Sequence, residues 1–486
     1  MPFSFRDPSG FLTDIDRRII RFINKGGSFD LLAFLQSDAA RRLTEAGRLV
    51  RTRPLDEATT RELVAKLATS AAFAGNDFFK EGDVELCVEH ERIPFRSFPY
   101  EWPPEMLHAA ARLTLDIAEI VLEEGFGLKD ASAHNLLFRG PRPVFVDLLS
   151  FERRDPLDAT WLAYAQFVRT FLLPLLVADR FNLRAHQFFA SEREGLEPED
   201  VYRLCGPLQR LRPPFLSLVA LPKWLSRKES VKGKEIYQTR RLKNPAQARF
   251  ILEQLFKRLR RDLARVRPKG MRDSAWAGYM GADKHFTPAY FDAKNSFVDE
   301  QLSIYGPREV LDVGCNVGHF SLLAARRGAR VVAIDLDDAV VGEVWRRASQ
   351  EKLDVLPLVV NLAQPSPGTG WRNAECASFL DRARRSFDAV LMLSVVHHMM
   401  VTERVPLPLI LELAAELTTD LLIVEFIPPD DPMFRRIARG RDELFAYLTQ
   451  DFFESACLRH FEIADARRLD ESSRRIYALR RKGARP

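Results

Sequence analysis

The stretch EVLDVGCNVGHFSLLAARRGARVVAID, residues 309–335, decides the fold. A short apolar run ends at Asp312, and a glycine-containing turn follows with Gly314, Asn316 and Gly318. A helical segment, a second apolar run and an acid at Asp335 come next. A parallel sheet that holds a nucleoside-bearing ligand on its carboxyl edge needs this order. Gly314 and Gly318 lack a Cβ, so backbone can approach a ligand closely. Asn316 tolerates the left-handed backbone region better than most residues. Asp335, at the end of the second run, can accept the two hydroxyl hydrogens of a ribose. The glycines are spaced G-x-x-x-G, and no Gly-Lys-Ser/Thr follows, so neither the dinucleotide fingerprint nor the P-loop is present. A nucleoside without phosphates is the ligand that suits this turn.

Working outward, further apolar runs lie at 355–360, 387–396, 420–427 and 475–480, each separated by helical segments. They are continuous rather than alternating, as strands covered by helices on both faces require. The expectation is a doubly wound α/β domain over residues 273–486.

VLDVGCNVGHFS with the downstream AID resembles motif I and the following acidic position of class I S-adenosylmethionine-dependent methyltransferases. The resemblance implies a seven-stranded Rossmann-like sheet with the last strand antiparallel, and S-adenosyl-L-methionine as cofactor. It implies that Asp312, Gly314, Asn316 and Gly318 face the methionine part, that Asp335 holds the ribose, and that Leu336 lies beside the adenine. Asn361 and Leu362 follow the third strand, where that family often places an acid near the adenine amine. SFPYEWPPEML, LKDASAHNLLF, DSAWAGYM and DVGCNVGHFS together resemble a longer family, related to NoeA-type nodulation methyltransferases, over nearly the whole chain.

LSVVHHMM (393–400) ends the fourth strand, where acceptor meets cofactor in such a fold. Methyl transfer to a hydroxyl or amine needs a proton acceptor, and histidine titrates in the useful range. His397 and His398 are the candidates, which favours an O or N acceptor over carbon. Each also has a structural reading, as packed core or helix cap. Glu425, ending the fifth run, reads as a structural acid.

A second pattern lies upstream. Pro103 and Pro104 open a helical segment over 104–124, and Gly125 suits its end. In GLKDASAHNLLFRGPRPVFVDLLSFE (127–152), Asp130 and Asn135 are five apart and Asp147 follows twelve later. The spacing resembles the catalytic loop and metal-binding acid of protein kinases and aminoglycoside phosphotransferases. In those enzymes a carboxylate receives the hydroxyl proton while Asn and Asp hold magnesium. Here Leu128 stands where the loop histidine usually is, no glycine-rich phosphate loop precedes it, and only Lys80 is available as a strand lysine. A degenerate α+β kinase-like domain over 1–185, kept as scaffold or substrate platform, is expected. A small-molecule phosphotransferase at Asp130/Asn135/Asp147 is the alternative.

Between the two lies a helical connector, 186–272. Its part from 223 to 272 holds seventeen Lys/Arg against four acids, a net +13 in a chain of +5, which leaves −8 for the rest. Ile251, Leu252, Leu255, Leu259, Leu263 and Val266 recur at helical spacing, so the block reads as an amphipathic helix with a solvated basic face. Contact with RNA phosphates is an alternative. The aromatic residues there (Trp224, Tyr237, Phe250, Phe256) are too sparse to suggest base stacking.

The 486 residues are too many for one ordinary core. Composition is ordinary for a globular protein, at 46% hydrophobic and 29% charged. Five scattered cysteines form no C-x-x-C pair, and neither a disulfide framework nor a metal site is suggested. No secretory signal is visible and no apolar run is long enough to span a bilayer. A cytoplasmic enzyme acting on a small-molecule acceptor is the expectation; the oligomeric state is left open.

Overall fold

The computed structural model describes residues 6–69, 81–229, 241–268, 270 and 287–483. DSAWAGYM, Lys80, the boundary at 272/273, and residues 230–240, 269, 271 and 272 of the basic block fall outside the described residues.

The chain begins with an antiparallel sheet of β1 (Gly10–Ile15), β2 (Arg18–Asn24), β3 (Thr52–Pro54) and β4 (Val84–His90), ordered β1-β2-β4-β3. The helix Pro104–Glu123 follows and ends before Gly125, at φ +80°. Its buried residues include Leu107, Ala111, Leu115 and Ala118, but also Met106, Ala110, Leu113, Ile117 and Val121. It is buried on more than one stripe because other elements pack around it from several sides. Two short ladders follow: β5 (Phe126–Leu128) pairs with β8 (Phe151–Arg153), and β6 (Leu136–Arg139) with β7 (Arg142–Phe145). The next helix begins at Tyr164. It passes through a π-type turn, Val168–Leu172, just before Pro174. Proline has no N–H to donate, and a change of hydrogen-bond register there accommodates the loss.

In the basic segment the helix Pro245–Arg265 buries Leu252, Leu259 and Leu263 against the helix Pro104–Glu123. Two assignments change. Ile251 is exposed, and Phe256 is core, edge-on to Trp161 at 5.1 Å. Several described cations of this block are engaged by the chain itself: Arg260 holds Asp116 and Glu119, and Arg241 holds Asp155.

The second half is the expected α/β sheet. Its strands are β9 (Glu309–Val313), β10 (Arg330–Asp335), β11 (Val355–Val359), β12 (Phe387–Met392), β13 (Thr418–Phe426), β14 (Phe461–Arg468) and β15 (Arg475–Arg481). Their order is β11-β10-β9-β12-β13-β15-β14. The neighbours from β11 to β13 are parallel, and β15 is antiparallel to both of its neighbours. β14 was not among the apolar runs because it is an edge strand with the sequence FEIADARR, in which only Phe461 is fully buried. The order reverses between β9 and β12, so their carboxyl ends flank a crevice.

One core runs from Leu107 and Phe145 in the first half to Leu311, Val390 and Leu422 in the second. Trp345 Nε1 donates to the Pro141 carbonyl at 2.9 Å, and Glu105 pairs with Arg346. At Gly342 a Cβ would fall 2.2 Å from Glu105 Oε2, so any other residue would displace the Glu105 carboxyl from this seam. Arg382 and Glu101 form a buried ion pair across the same seam. Among the described residues no helix is long and apolar enough to cross a membrane.

Candidate active site

The crevice at the strand reversal opens into a cavity of about 980 Å³. That is near the upper end for pockets that enclose one drug-sized ligand, so it has room for two smaller partners. Asp312, Gly314, Asn316, Asp335, Leu336, Asn361, Leu362 and His398 all line it. Gly318 and His397 do not.

The turn after β9 is built as its residue types demand. Gly314 lies at φ +71° and Asn316 at +48°, both in the left-handed region. Gly318 lies at +79°, and a Cβ there would meet the Val344 side chain at 2.8 Å. Gly318 therefore shapes the turn from behind, by letting it close on the helix Asp338–Glu351. The Asn316 N–H donates to Asp335 Oδ2 at 3.0 Å, which locks the turn to the end of β10.

Asp312 is 2% exposed and accepts a hydrogen bond from Ser321 Oγ at 2.5 Å. Burial pushes its carboxyl up to about 6, against the effect of that hydrogen bond. Burial raises Asp335 as well, opposed by the backbone N–H groups of Asp337 and Asn316. At Asn361, Oδ1 accepts from the Ala363 N–H and Nδ2 donates to Glu403 Oε1 at 3.2 Å. Glu403, which also lines the cavity, thus places a carboxylate beside Asn361.

The two histidines separate. His398 faces the cavity; burial first, then Arg474, lowers it to about 4. His397 is 3% exposed, neither ring nitrogen has a partner among the described residues, and burial holds it neutral. The helix Val396–Val401 turns His397 toward the core, where its ring lies near Phe434. Adjacent helical residues diverge by roughly 100°, so only one of such a pair can face the ligand.

Several residues on the cavity wall escaped sequence reading. Lys294, on the helix Pro288–Tyr305, donates to Glu425 Oε2 at 2.6 Å and to Ser394 Oγ at 2.9 Å. Ser394 itself takes φ +57°. Burial alone would raise Glu425, but Lys294 and Arg474 outweigh it and hold the carboxyl down at about 2. Glu425 is therefore a structural acid behind the cavity wall. His319 and Phe320 complete that side.

The profile of a family described as a methyltransferase domain matches residues 311–407, from Leu311 on β9 through His398. The chain is an S-adenosylmethionine-dependent methyltransferase. Nodulation protein NoeA of Rhizobium meliloti is 28% identical to it over 482 residues, which span 98% of this methyltransferase and 95% of NoeA. The N-methyltransferase NodS of Bradyrhizobium japonicum is 12% identical, covers 40% of this chain and 97% of its own, and has a TM-score of 0.31. Magnesium protoporphyrin IX methyltransferase of Synechocystis, with bound S-adenosylhomocysteine, is 20% identical over 42% of this chain and 92% of its own, with a TM-score of 0.31.

The upstream pattern also converges. Asp130, Asn135 and Asp147 line a second cleft of about 830 Å³. Asn135 Nδ2 donates to Ser150 Oγ at 3.2 Å, and Ser150 donates to Asp147 Oδ2 at 2.7 Å. Arg21 on β2, absent from the sequence reading, meets Asp147 Oδ1 at 2.9 Å. Among the described residues no cluster of three or more His, Cys, Asp or Glu side chains could hold a metal ion.

Proposed function

We propose that this methyltransferase moves a methyl group to an oxygen or nitrogen of a small molecule, with His398 as proton acceptor. The cofactor would be held by Asp312, Gly314, Asn316, Asp335, Leu336, Asn361 and Leu362, with Gly318 closing the turn beneath it. The fit rests on the turn itself: left-handed backbone at Gly314 and Asn316 clears a cradle beside two carboxylates. Asp335 accepts the ribose hydroxyls, and Glu403, fixed beside Asn361, accepts from the adenine amine. When bound, S-adenosylmethionine supplies an electrophilic methyl group.

The remaining work is alignment and dryness. Leu393, Val395, Met399 and Val401 line the same cavity and exclude water. His398, neutral above about pH 5, accepts the proton released by the hydroxyl or amine. One observation carries this reading: His398 opens onto the cavity that also holds Asp312 and Asp335. Calorimetry with S-adenosylhomocysteine tests the cofactor part, with Asp335→Ala expected to weaken binding at least tenfold. Labelled cofactor incubated with fractionated cell extract tests the acceptor class. Incorporation into RNA instead of small molecules would overturn it, and the internal pairing of Arg260 and Arg241 argues against RNA.

The upstream cleft supports a kinase-like lobe kept as scaffold. The observation is Arg21 on Asp147: a guanidinium occupies the carboxylate that a phosphotransferase would give to magnesium.

A further inference from the structure

Four arginines line the active-site cavity: Arg404, Arg436, Arg439 and Arg441. All come from segments that follow β12 and β13, the side that carries His398. Arg404 lies just beyond the helix Val396–Val401. Arg436 is on the helix Pro432–Ala438, and Arg439 and Arg441 follow it. The two helices pack against each other.

None of the four forms an ion pair among the described residues. Arg441 donates to the Ala438 carbonyl. Of the carboxylates nearby in sequence, Glu403 is engaged by Asn361 and Gln364 and Asp431 by Arg474, while Asp430, Asp442 and Glu443 do not line the cavity. The four are exposed at the cavity, whereas the buried arginines elsewhere in the fold are matched: Arg382 with Glu101, Arg474 with Asp431, Arg21 with Asp147. The cavity is thus polarised. Asp312 and Asp335 end β9 and β10, while the four arginines, with Glu403 as the one acid lining the cavity beside them, come from the opposite side of the strand reversal.

Arg439 occupies the left-handed position at the end of its helix, φ +52°, although Gly440 stands one residue later. Arg404 also lies in the left-handed region, at φ +59°. A non-glycine residue held there costs about 1 kcal/mol or more, and both positions carry arginines that line the cavity. Guanidinium groups are suited to bidentate recognition of carboxylate or phosphate, and like charges gathered without counter-charge raise the local anion concentration.

We infer that the methyl acceptor is an anion, a small molecule bearing a carboxylate or phosphate, held by Arg436 and Arg439 with Arg404 and Arg441 at the cavity mouth. This deepens the proposed function and rests on the methyltransferase site being the working site. The anionic group anchors the acceptor at the arginine side and leaves its hydroxyl or amine free to reach His398.

The test uses the full chain with labelled S-adenosylmethionine and a small-molecule extract divided on an anion exchanger. Acceptor activity is expected in the retained fraction. Loss after phosphatase treatment identifies a phosphate, and loss after carbodiimide coupling to an amine identifies a carboxylate. Succinate and inorganic phosphate serve as competing probes. Arg436→Gln/Arg439→Gln is expected to raise the apparent KM for the retained fraction at least tenfold and to abolish competition, with S-adenosylhomocysteine affinity held within twofold. Arg436→Lys/Arg439→Lys recovers part of the loss. Acceptor activity confined to the flow-through, or an unchanged KM in the glutamine variant, overturns the anion inference alone. Failure of the wild-type chain to bind S-adenosylhomocysteine overturns the methyltransferase site beneath it.

Discussion

Lys294 and Glu425 face each other at 2.6 Å, with 7% and 0% of their side chains exposed. Around them, the Tyr290 hydroxyl donates to Glu425 at 2.5 Å, Ser394 donates to it at 2.7 Å, and Arg474 reaches both Glu425 and Asp431. The helix Pro288–Tyr305, the end of β12, β13 and the turn before β15 are tied together behind the cavity. Removing one partner of a buried pair leaves an uncompensated charge and costs about 3–5 kcal/mol. Glu425→Gln is therefore expected to be strongly destabilised in urea unfolding at pH 7. Because the carboxyl is held near 2, below its ordinary 4.5, its contribution is present above pH 4.5 and fades as pH falls toward 2. The gap between wild type and Glu425→Gln should narrow over that window; a gap independent of pH would contradict the assignment.

Asp312 has the opposite sign. Its folded value near 6 exceeds the ordinary 3.8, so the folded chain binds the proton more tightly, and stability falls as pH rises through that interval. Asp312→Asn keeps an acceptor for Ser321 and removes the cost of a buried charge. Two units correspond to about 3 kcal/mol at most. The variant should melt higher than wild type at pH 8, with little difference at pH 4, and bind S-adenosylhomocysteine at least tenfold more weakly. Thermal unfolding and calorimetry on the same samples check both halves.

His398 is near 4, so it is already deprotonated at neutral pH. The rate should show no histidine-like inflection near 6.5 and should be level on this account above pH 5. His398→Gln should lower kcat by about 10²–10⁴, the usual range for a lost proton acceptor, with cofactor affinity retained. His397→Leu, away from the cavity wall, should keep kcat within about threefold and act on the melting temperature instead. Steady-state kinetics of the pair decides which histidine serves.

The central strands could be read from sequence because each is a continuous apolar run, and the turn because glycine and asparagine mark left-handed backbone. β14 could not, since an edge strand with one buried face has no such run. Glu403 and Lys294 were invisible for another reason: each reaches the cavity from an element distant in sequence, and nothing local to either residue signals it. Separating His397 from His398 needed the helix axis. Arg21 was hidden in the same way, since its meeting with Asp147 joins positions 126 residues apart and depends on how β2 packs over the loop.

Glu101 and Arg382 join the two halves with 0% and 4% exposure, and the Arg382 guanidinium lies over the rings of Phe95 and Phe98. With one core shared across this seam, the chain should melt as one unit. Glu101→Gln leaves a buried guanidinium without its counter-charge, at about 3–5 kcal/mol. Calorimetry should then show the single transition resolve into two, the methyltransferase half separating from the upstream half. Gly342→Ala, whose methyl group displaces the Glu105 carboxyl that pairs with Arg346, should weaken the same seam to a smaller degree. A single transition in both variants would mean that the halves are coupled through other contacts.

Arg21 and Asp147 meet at 2.9 Å, and Arg21 is almost fully withdrawn from water. A phosphotransferase needs Asp147 free for magnesium and Asp130 ionised as proton acceptor. Here burial and the Asp147 charge both raise Asp130 above its ordinary range, which weakens its hold on the ionised form. The wild-type chain should transfer no phosphate from ATP in the presence of magnesium, followed by phosphorus NMR over hours. Arg21→Ala removes the guanidinium from Asp147 and should give calorimetrically detectable magnesium-dependent ATP binding that the wild type lacks. Asp147→Asn added to Arg21→Ala should abolish it again. Magnesium-dependent phosphoryl transfer by the wild type would show that Arg21 leaves Asp147 when ligand enters, and would restore this cleft as a second catalytic site.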